Sequence, residues 1–224
     1  MQRQGQPERL KVIKMKIRKT EKSDYRLVEE ITRKAFWNLH IPGCDEHYLA
    51  YRLRNHKDYV PELDFVAVKD GKVIGNIMYS RSYLQNGNTK LAALTFGPVS
   101  VLPGFQRRGI GSALITRSMN AAEKLMANVI VIFGNPGEYC KFGFVGSKSA
   151  NIATPDGRYP CALLVKELKK GVLANHAWRY FESSAHGSNQ DGFDEYEASF
   201  EKMEKKYQYT QEVFSILSNA FIEG

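Results

Sequence analysis

The chain has 224 residues, a formal net charge of +8 at pH 7, and 43% hydrophobic and 25% charged residues, a balance ordinary for one globular domain with or without an appendage. No apolar run approaches the roughly 18 residues of a membrane-spanning helix, and the polar N-terminus lacks the apolar block of a signal peptide. The three cysteines are odd in number and lie in unrelated contexts, which disfavours a disulfide framework or a metal site. We therefore expect a cytoplasmic protein without a metal.

The spacing of apolar residues predicts alternating strands and helices. In chain order these are a strand over 12–18, helices over 24–36 and 45–54, strands over 63–69, 72–84 and 90–101, a helix over 109–127, a strand over 129–133, a short helix near 137–142 and a strand over 161–166. Asp70-Gly71 and Asn86-Gly87 mark tight turns between strands. A Ser/Gly/Asn-rich linker over 183–192 and a helix-prone segment over 193–217 follow. The order predicts a mixed α/β sheet with helices on both faces.

The most informative segment is the strand–loop–helix junction from Val101 to Ala113. It contains two adjacent arginines and two closely spaced glycines, and a helical pattern begins directly afterwards. Glycine lets a ligand approach the backbone, and the first turn of a helix leaves N–H groups without partners. With arginine side chains beside them, these groups form a site for an anion such as phosphate or pyrophosphate.

Two common nucleotide motifs do not fit this segment. A Walker loop requires a lysine after the second glycine, and Ser112 stands there instead. The dinucleotide fingerprint requires a third glycine three residues later, where the chain has Leu114. A plain tight turn that binds no ligand stays open as an alternative.

Residues 106–113, Gln-Arg-Arg-Gly-Ile-Gly-Ser-Ala, resemble the Gln/Arg-x-x-Gly-x-Gly/Ala signature of the GNAT superfamily of acetyl-CoA-dependent N-acetyltransferases. Downstream, Tyr139 followed by Gly143-Phe144 resembles the segment in which that superfamily carries its general-acid tyrosine. The resemblance covers roughly residues 12–167 and implies a splayed GNAT-type sheet of about six or seven strands. It also suggests a polar lead over 1–11, an N-acetyltransferase domain over 12–170 and a partly helical C-terminal extension over 171–224.

The resemblance implies that acetyl-CoA is the cosubstrate and that Tyr139 is the general acid, because a tyrosine with a pKa near 10 can supply a proton to a thiolate. Pro98 lacks an N–H and therefore interrupts the hydrogen bonding of a sheet. It is expected to help separate the strands next to residues 99–101. The alternatives are a core role for Tyr139, an ordinary Asn-Pro-Gly turn at Asn135, and solvation of one arginine. The implied cofactor-binding residues are Val99, Ser100, Val101, Gln106, Arg107, Arg108, Gly109, Ile110, Gly111, Ser112, Ala113, Asn135 and Tyr139.

The general base is not assigned. Removing a proton from a lysine-like ammonium at pH 7 costs about 4.6 kcal/mol, so a base or a water chain to one is expected. Many GNAT relatives carry a glutamate on the strand before the cofactor loop, but residues 91–101 contain no acid. A water relay is one alternative. Candidates by location are Asp45, Glu46, His47, Glu62 and Asp64.

The implied function is transfer of an acetyl group to a primary amine by direct attack in a ternary complex. The alternative is a non-catalytic acyl-CoA-binding or regulatory module. Nothing selects the acceptor, nucleic acid is disfavoured because no nucleic-acid-binding motif accompanies the basic residues, and no membrane partner is expected. The tail could cover the site, pack as an extra helix or mediate a homodimer.

Overall fold

The computed structural model describes residues 14–174, 176–187 and 190–223. The predicted polar lead over 1–11 and the first two residues of the predicted strand over 12–18 lie outside the described residues. Within them, every helix is too short or too polar to cross a membrane. The first observed element is strand β1, Lys16–Lys19.

Helices and strands then alternate as the apolar spacing predicts. The helices are α1 (Tyr25–Phe36), α2 (Glu46–Leu53), α3 (Ile110–Lys124), α4 (Pro136–Tyr139), α5 (Phe193–Ala198) and α6 (Tyr209–Asn219). The further strands are β2 (Phe65–Lys69), β3 (Lys72–Asn86), β4 (Thr89–Val101), β5 (Val129–Phe133), β6 (Val145–Gly146), β7 (Ile152–Ala153), β8 (Leu163–Glu167) and β9 (Trp178–Phe181).

The strands form one mixed sheet in the order β1-β2-β3-β4-β5-β8-β6, and β9 joins β3 and carries β7 on its other side. The β4–β5 and β7–β9 pairs are parallel and the others antiparallel. The sheet therefore has nine described strands, and the expected six or seven was too low. The extra members are the two-residue strands β6 and β7 and the four-residue strand β9.

Helices cover both faces of the sheet, as predicted. Tyr79 of β3 and Leu114 of α3 are fully buried in the largest apolar cluster. Met78, the neighbour of Tyr79, instead packs with Leu53 of α2. Because successive strand residues point to opposite faces, α3 lies on one side of the sheet and α2 on the other. The mixed α/β architecture expected from the apolar pattern is confirmed.

The sheet splays open between β4 and β5. The two strands pair only at Leu94 and Ile130, so the β5-facing edge of the rest of β4 has no partner strand among the described residues. The register between β3 and β4 shifts by one residue between Phe96 and Val99, which places Pro98 in a β-bulge. The last residues of β4 therefore offer free backbone groups toward the opening.

The C-terminal extension packs onto α1 and α2. The carboxylate of Glu197 accepts hydrogen bonds from Arg33 Nη2 (2.5 Å) and lies 2.8 Å from His47 Nε2. Further along, Trp37 Nε1 donates to the carbonyl of Glu204 at 2.9 Å. Of the roles considered for the tail, packing as extra helical structure is the one that these contacts support.

Candidate functional site

A cleft of about 320 Å³ opens where the end of β4 meets α1, the start of α3 and α4. Val99 and Val101 form its β4 wall, and the last turn of α1 contributes Phe36. On the far side lie the first residues of α3 and the side chain of Tyr139. The free edge of β4, a helix start and a tyrosine therefore face one space.

The start of α3 leaves backbone donors for a ligand. The N-cap residue Gly109 has a φ of +81°, no side chain caps the helix, and its first turn holds no acid. The ladder begins where the N–H of Ala113 donates to the carbonyl of Gly109 at 2.9 Å. The preceding amides lack intrahelical partners, and this positive end of the helix dipole favours an anion.

The loop before α3 presents its polar side chains unequally. Arg107 adopts a left-handed conformation with a φ of +57° and lines the cleft. Arg108 lies outside the lining, with its guanidinium 6.0 Å from the ring centre of Phe105. Gln106 donates from Nε2 to the carbonyl of Val101 at 3.1 Å, which ties the loop to the end of β4. Only one of the two predicted arginines therefore faces the space.

Most of the predicted site residues come together here. Those lining the cleft are Val99, Val101, Gln106, Arg107, Gly109, Ile110, Gly111, Ser112 and Tyr139. Arg108 and Ala113 lie beyond the lining. Ser100 is buried and shares a 3.0 Å hydrogen bond with Thr32 of α1, while Asn135 caps α4 by accepting from the N–H of Gly137 at 2.9 Å. These last two side chains are used inside the fold.

Gly75 of β3 is a site-shaping residue that the motifs did not reveal. A Cβ atom there would lie 2.9 Å from the carbonyl oxygen of Ser100 and 3.2 Å from Leu114 Cδ1. The missing side chain lets α3 pack directly against the strand beneath the cleft. A glycine inside a predicted strand is the signal that could have identified this close approach.

Tyr139 sits on an aromatic shelf. Its ring centre lies 5.7 Å from that of Phe96 and 6.2 Å from that of Phe144. Burial, with a smaller contribution from the charge of Glu138, raises the pKa of Tyr139 to about 12. The phenol therefore keeps its proton throughout the neutral range.

A family model described as "Acetyltransferase (GNAT) family" matches residues 32–138. The crystal structure of a GNAT family acetyltransferase from Brucella melitensis in complex with acetyl-CoA is 25% identical and covers 77% of this chain and 97% of that one, with a TM-score of 0.61. Over residues 32–138 this chain is therefore similar to the GNAT acetyltransferase family. The resemblance to this family noted at residues 106–113 is thereby confirmed, and the role of Tyr139 stays a prediction.

Two other proteins are similar to this chain. The structure of the N-acetyltransferase YhbS from Escherichia coli in complex with CoA shares the fold at 20% identity, a TM-score of 0.66, and coverage of 77% of this chain and 92% of that one. The curated protein "Uncharacterized N-acetyltransferase YjhQ" of Escherichia coli strain K12 is 24% identical over 125 residues. That match spans 56% of this chain and 66% of the relative.

The five base candidates named by location lie away from the lining of the cleft. Asp64 is buried and accepts hydrogen bonds from Tyr59 (2.7 Å) and Asn76 (2.8 Å). Glu46 lies 2.8 Å from His40, and His47 lies against Glu197. Asp45 accepts from Gln190 Nε2 at 2.9 Å, and Glu62 is exposed. Four of the five are thus engaged in contacts within the fold.

The described residues also contain no group of three His, Cys, Asp or Glu side chains placed to hold a metal ion.

Gly134, the residue after β5, sets the position of Tyr139. A Cβ atom on Gly134 would lie 2.5 Å from Tyr139 Cε2 and 2.8 Å from Cδ2, closer than van der Waals contact permits. We expect Gly134→Ala to displace the ring and lower the rate of acetyl transfer by about tenfold, because misplacing a reacting group by about 1 Å costs up to 10²-fold.

The matched control is Gly146→Ala in β6, where a Cβ atom meets nothing within 4 Å. Steady-state kinetics and a tyrosine ring NMR signal would compare the two variants. An unchanged rate in Gly134→Ala with a displaced ring would show that the position of Tyr139 is irrelevant to turnover.

Proposed function

We propose that this GNAT protein transfers an acetyl group from acetyl-CoA to a primary amine, by direct attack of the amine in a ternary complex. The observation that carries the proposal is the cleft itself. It joins the free edge of β4, the uncapped start of α3 and the hydroxyl-bearing ring of Tyr139. The free edge of β4 suits the extended pantetheine arm of acetyl-CoA. The start of α3 suits its diphosphate, and Tyr139 suits its thioester.

The diphosphate of acetyl-CoA would bind the backbone amides at Gly109, Ile110, Gly111 and Ser112, with the Arg107 guanidinium beside it. The pantetheine arm would pair with the backbone of residues 99–101. An anion at a helix start gains roughly 0.3–2 kcal/mol, and charge-assisted hydrogen bonds add to this. Together they can account for micromolar affinity, which corresponds to about −8 kcal/mol.

In the reaction, the neutral amine nitrogen attacks the thioester carbonyl and the carbon–sulfur bond breaks. The nitrogen loses a proton as the amide forms, and the sulfur leaves as a thiolate that gains one. The pKa of Tyr139, about 12, lies above the roughly 8.5 of a thiol. Tyr139 therefore donates a hydrogen bond to the sulfur as charge develops, and passes on its proton only as the nitrogen releases one.

The acceptor is an unidentified amine, and the proposed compartment is the cytoplasm. Cys44, Cys140 and Cys161 are free thiols, which suits a reducing environment. We propose no nucleic-acid partner.

The direct test of the cofactor site is Gly109→Val. A Cβ atom at Gly109 meets no protein atom within 4 Å, so the added side chain would occupy the space proposed for the diphosphate. We expect acetyl-CoA to bind at least about tenfold more weakly by titration calorimetry, a loss of about 1.4 kcal/mol. Gly171→Val is the matched control, because its φ of +85° imposes the same backbone strain in open space.

Release of free thiol from acetyl-CoA across a panel of primary amines then tests the reaction. An amine-dependent release supports the transferase. Tight acetyl-CoA binding with no release for any amine would favour the non-catalytic acyl-CoA-binding module. Unchanged affinity in Gly109→Val would remove the start of α3 from the proposed site.

A further inference from the structure

We propose that Glu182, just after β9 in the C-terminal extension, is the general base that accepts a proton from the acceptor amine. The inference rests on the proposed transferase function and assigns the group that the family resemblance left open. It is carried by where β9 inserts into the sheet and by the side chains that this insertion brings to the splay.

Strand β9 runs antiparallel to β3, with Tyr180 opposite Leu84 and Phe181 opposite Tyr83. Glu182 directly follows β9 and is two residues after Tyr180, and the alternation of β9, continued by one residue, assigns it to the Tyr180 face. The Tyr180 hydroxyl shares a 2.6 Å hydrogen bond with Thr95 Oγ1 of β4. Thr95 directly follows Leu94, the last β4 residue paired with β5. The extension thus reaches the vertex of the splay.

Thr95 and Tyr180 meet at the point where β4 and β5 separate, on the face of the sheet opposite Tyr139. Phe96 packs against Tyr139, and its strand neighbour Thr95 must point to the other face. The ring of Phe133, at the end of β5, lies 6.2 Å from that of Tyr180 and closes the far side. The proposal therefore has the amine reach the thioester carbonyl from the side of the sheet opposite Tyr139, while Tyr139 faces the leaving sulfur.

The face below Glu182 is polar where a sheet core is ordinarily apolar. Thr95 Oγ1 donates to Ser82 Oγ at 3.0 Å, and both residues are buried. The fully buried Ser80 shares a 2.9 Å hydrogen bond with His186 Nε2. These buried hydroxyls form a polar layer on one side of β3 and β4.

Glu182 has the exposure and the protonation behaviour of a base that exchanges protons with solvent. The Glu182 side chain is 31% exposed, and partial burial of its carboxyl group raises its pKa to about 7. Burial raises the pKa of Tyr180, and the charge of Glu182 adds to this.

His186 Nδ1 lies 3.8 Å from the Glu182 carboxylate. Burial, helped by the charges of His56 and Arg52, lowers the pKa of His186 to about 4, so it is neutral near pH 7. Glu182 therefore keeps a pKa near the working pH, which suits a general base.

The proton inventory balances. An ammonium group gives one proton to the Glu182 carboxylate and becomes a neutral amine, whose nitrogen attacks the thioester carbonyl. As the carbon–sulfur bond breaks, the nitrogen loses a second proton, which reaches the sulfur by way of Tyr139. Glu182 then releases its proton to solvent, and the products are the acetamide, the free thiol and one proton.

The test is Glu182→Gln, which keeps the side-chain size and removes the charge. With the panel amine that gives the fastest thiol release in the wild-type protein, we expect kcat to fall by about 10²-fold and the affinity for acetyl-CoA to stay unchanged. Wild-type kcat/KM should rise through an apparent pKa near 7 as Glu182 ionises, and this limb should vanish in the variant. Glu123→Gln, an exposed carboxylate near the end of α3, is the control.

Methoxyamine, which is already neutral at pH 7, separates a base from a structural role. If Glu182 removes the amine proton, the variant should recover most of its rate with methoxyamine but not with an alkylamine. An equal loss with both amines, or a loss of less than about twofold with the alkylamine, would overturn the assignment. A wild-type protein that binds acetyl-CoA and acetylates no amine would overturn the proposed function as well.

Discussion

Replacing Tyr139 with phenylalanine is expected to lower kcat by about 10²–10⁴-fold, the usual contribution of a positioned proton donor. The change removes one hydroxyl, and no described side chain hydrogen-bonds to it. The ring keeps its contacts with Phe96 and Phe144 and still fits over Gly134. Stability and acetyl-CoA affinity should therefore be nearly unchanged, because packing and cofactor contacts are the same.

Stopped assays of thiol release, calorimetric acetyl-CoA binding and thermal unfolding would measure the three quantities. Tyr207→Phe, which removes a hydroxyl from a 66% exposed tyrosine, is the control. Because the pKa of Tyr139 is about 12, its ionisation should not limit the rate below roughly pH 10. A variant with wild-type kcat would leave Tyr139 as a core residue only.

Replacing Glu197 with alanine is expected to destabilise the protein by about 3–5 kcal/mol, the cost of leaving a buried charge without its partner. Arg33 is 4% exposed and His47 is fully buried, and both are bound to the Glu197 carboxylate. Burial alone would raise the pKa of Glu197, but the hydrogen bond and charge of Arg33, with a hydrogen bond to His47, hold it below its usual value. The carboxylate is therefore ionised and stabilising at neutral pH.

The lowered pKa of Glu197 determines the pH range over which its carboxylate stabilises the folded protein. The stabilisation is present above the pKa of an unfolded glutamate and is lost as the pH falls through the lower folded value. Urea unfolding at neutral pH would measure the effect, with Glu195→Ala, an exposed acid on the same helix, as control. A loss of less than about 1 kcal/mol would mean that the extension docks without this ion pair.

Local sequence signals predicted much of the fold. The strand over 129–133 has the expected bounds, because a continuous apolar run is bounded by clear breaks. Asp70 and Gly71 both adopt positive φ, 48° and 75°, as a tight hairpin turn requires. The predicted helix after Gly109 begins at Ile110, where the glycine signal places it, but it ends at Lys124 and is shorter than expected.

Short strands and long-range docking could not be predicted in this way. β6 and β7 have two residues each, too few to show any periodicity. β9 reads as part of the tail because its pairing partner, β3, lies about 95 residues earlier in the chain. Nothing local to Glu197 or to Arg33 indicates that they meet across the fold.

The candidate site, too, could be predicted only where its residues lie within one local motif. The backbone positions around Gly109 lie within one motif, and the structure brings them to one cleft with Tyr139. The side chains of Ser100 and Asn135 do not line the cleft, because they hydrogen-bond to Thr32 and to the N–H of Gly137. Glu182 required the tertiary placement of β9, which no spacing rule supplies.

The pairing of β9 with β3 limits where the chain can be truncated. Residues 83–85 of β3 extend beyond the reach of β2, and β9 is the strand that satisfies their outer backbone groups. A chain shortened before Trp178 would present those amides and carbonyls as an open template for another molecule, a recognised route to aggregation. The family-like portion and its appendage are thus one cooperative unit at this edge, and a trimmed domain should be expected to self-associate.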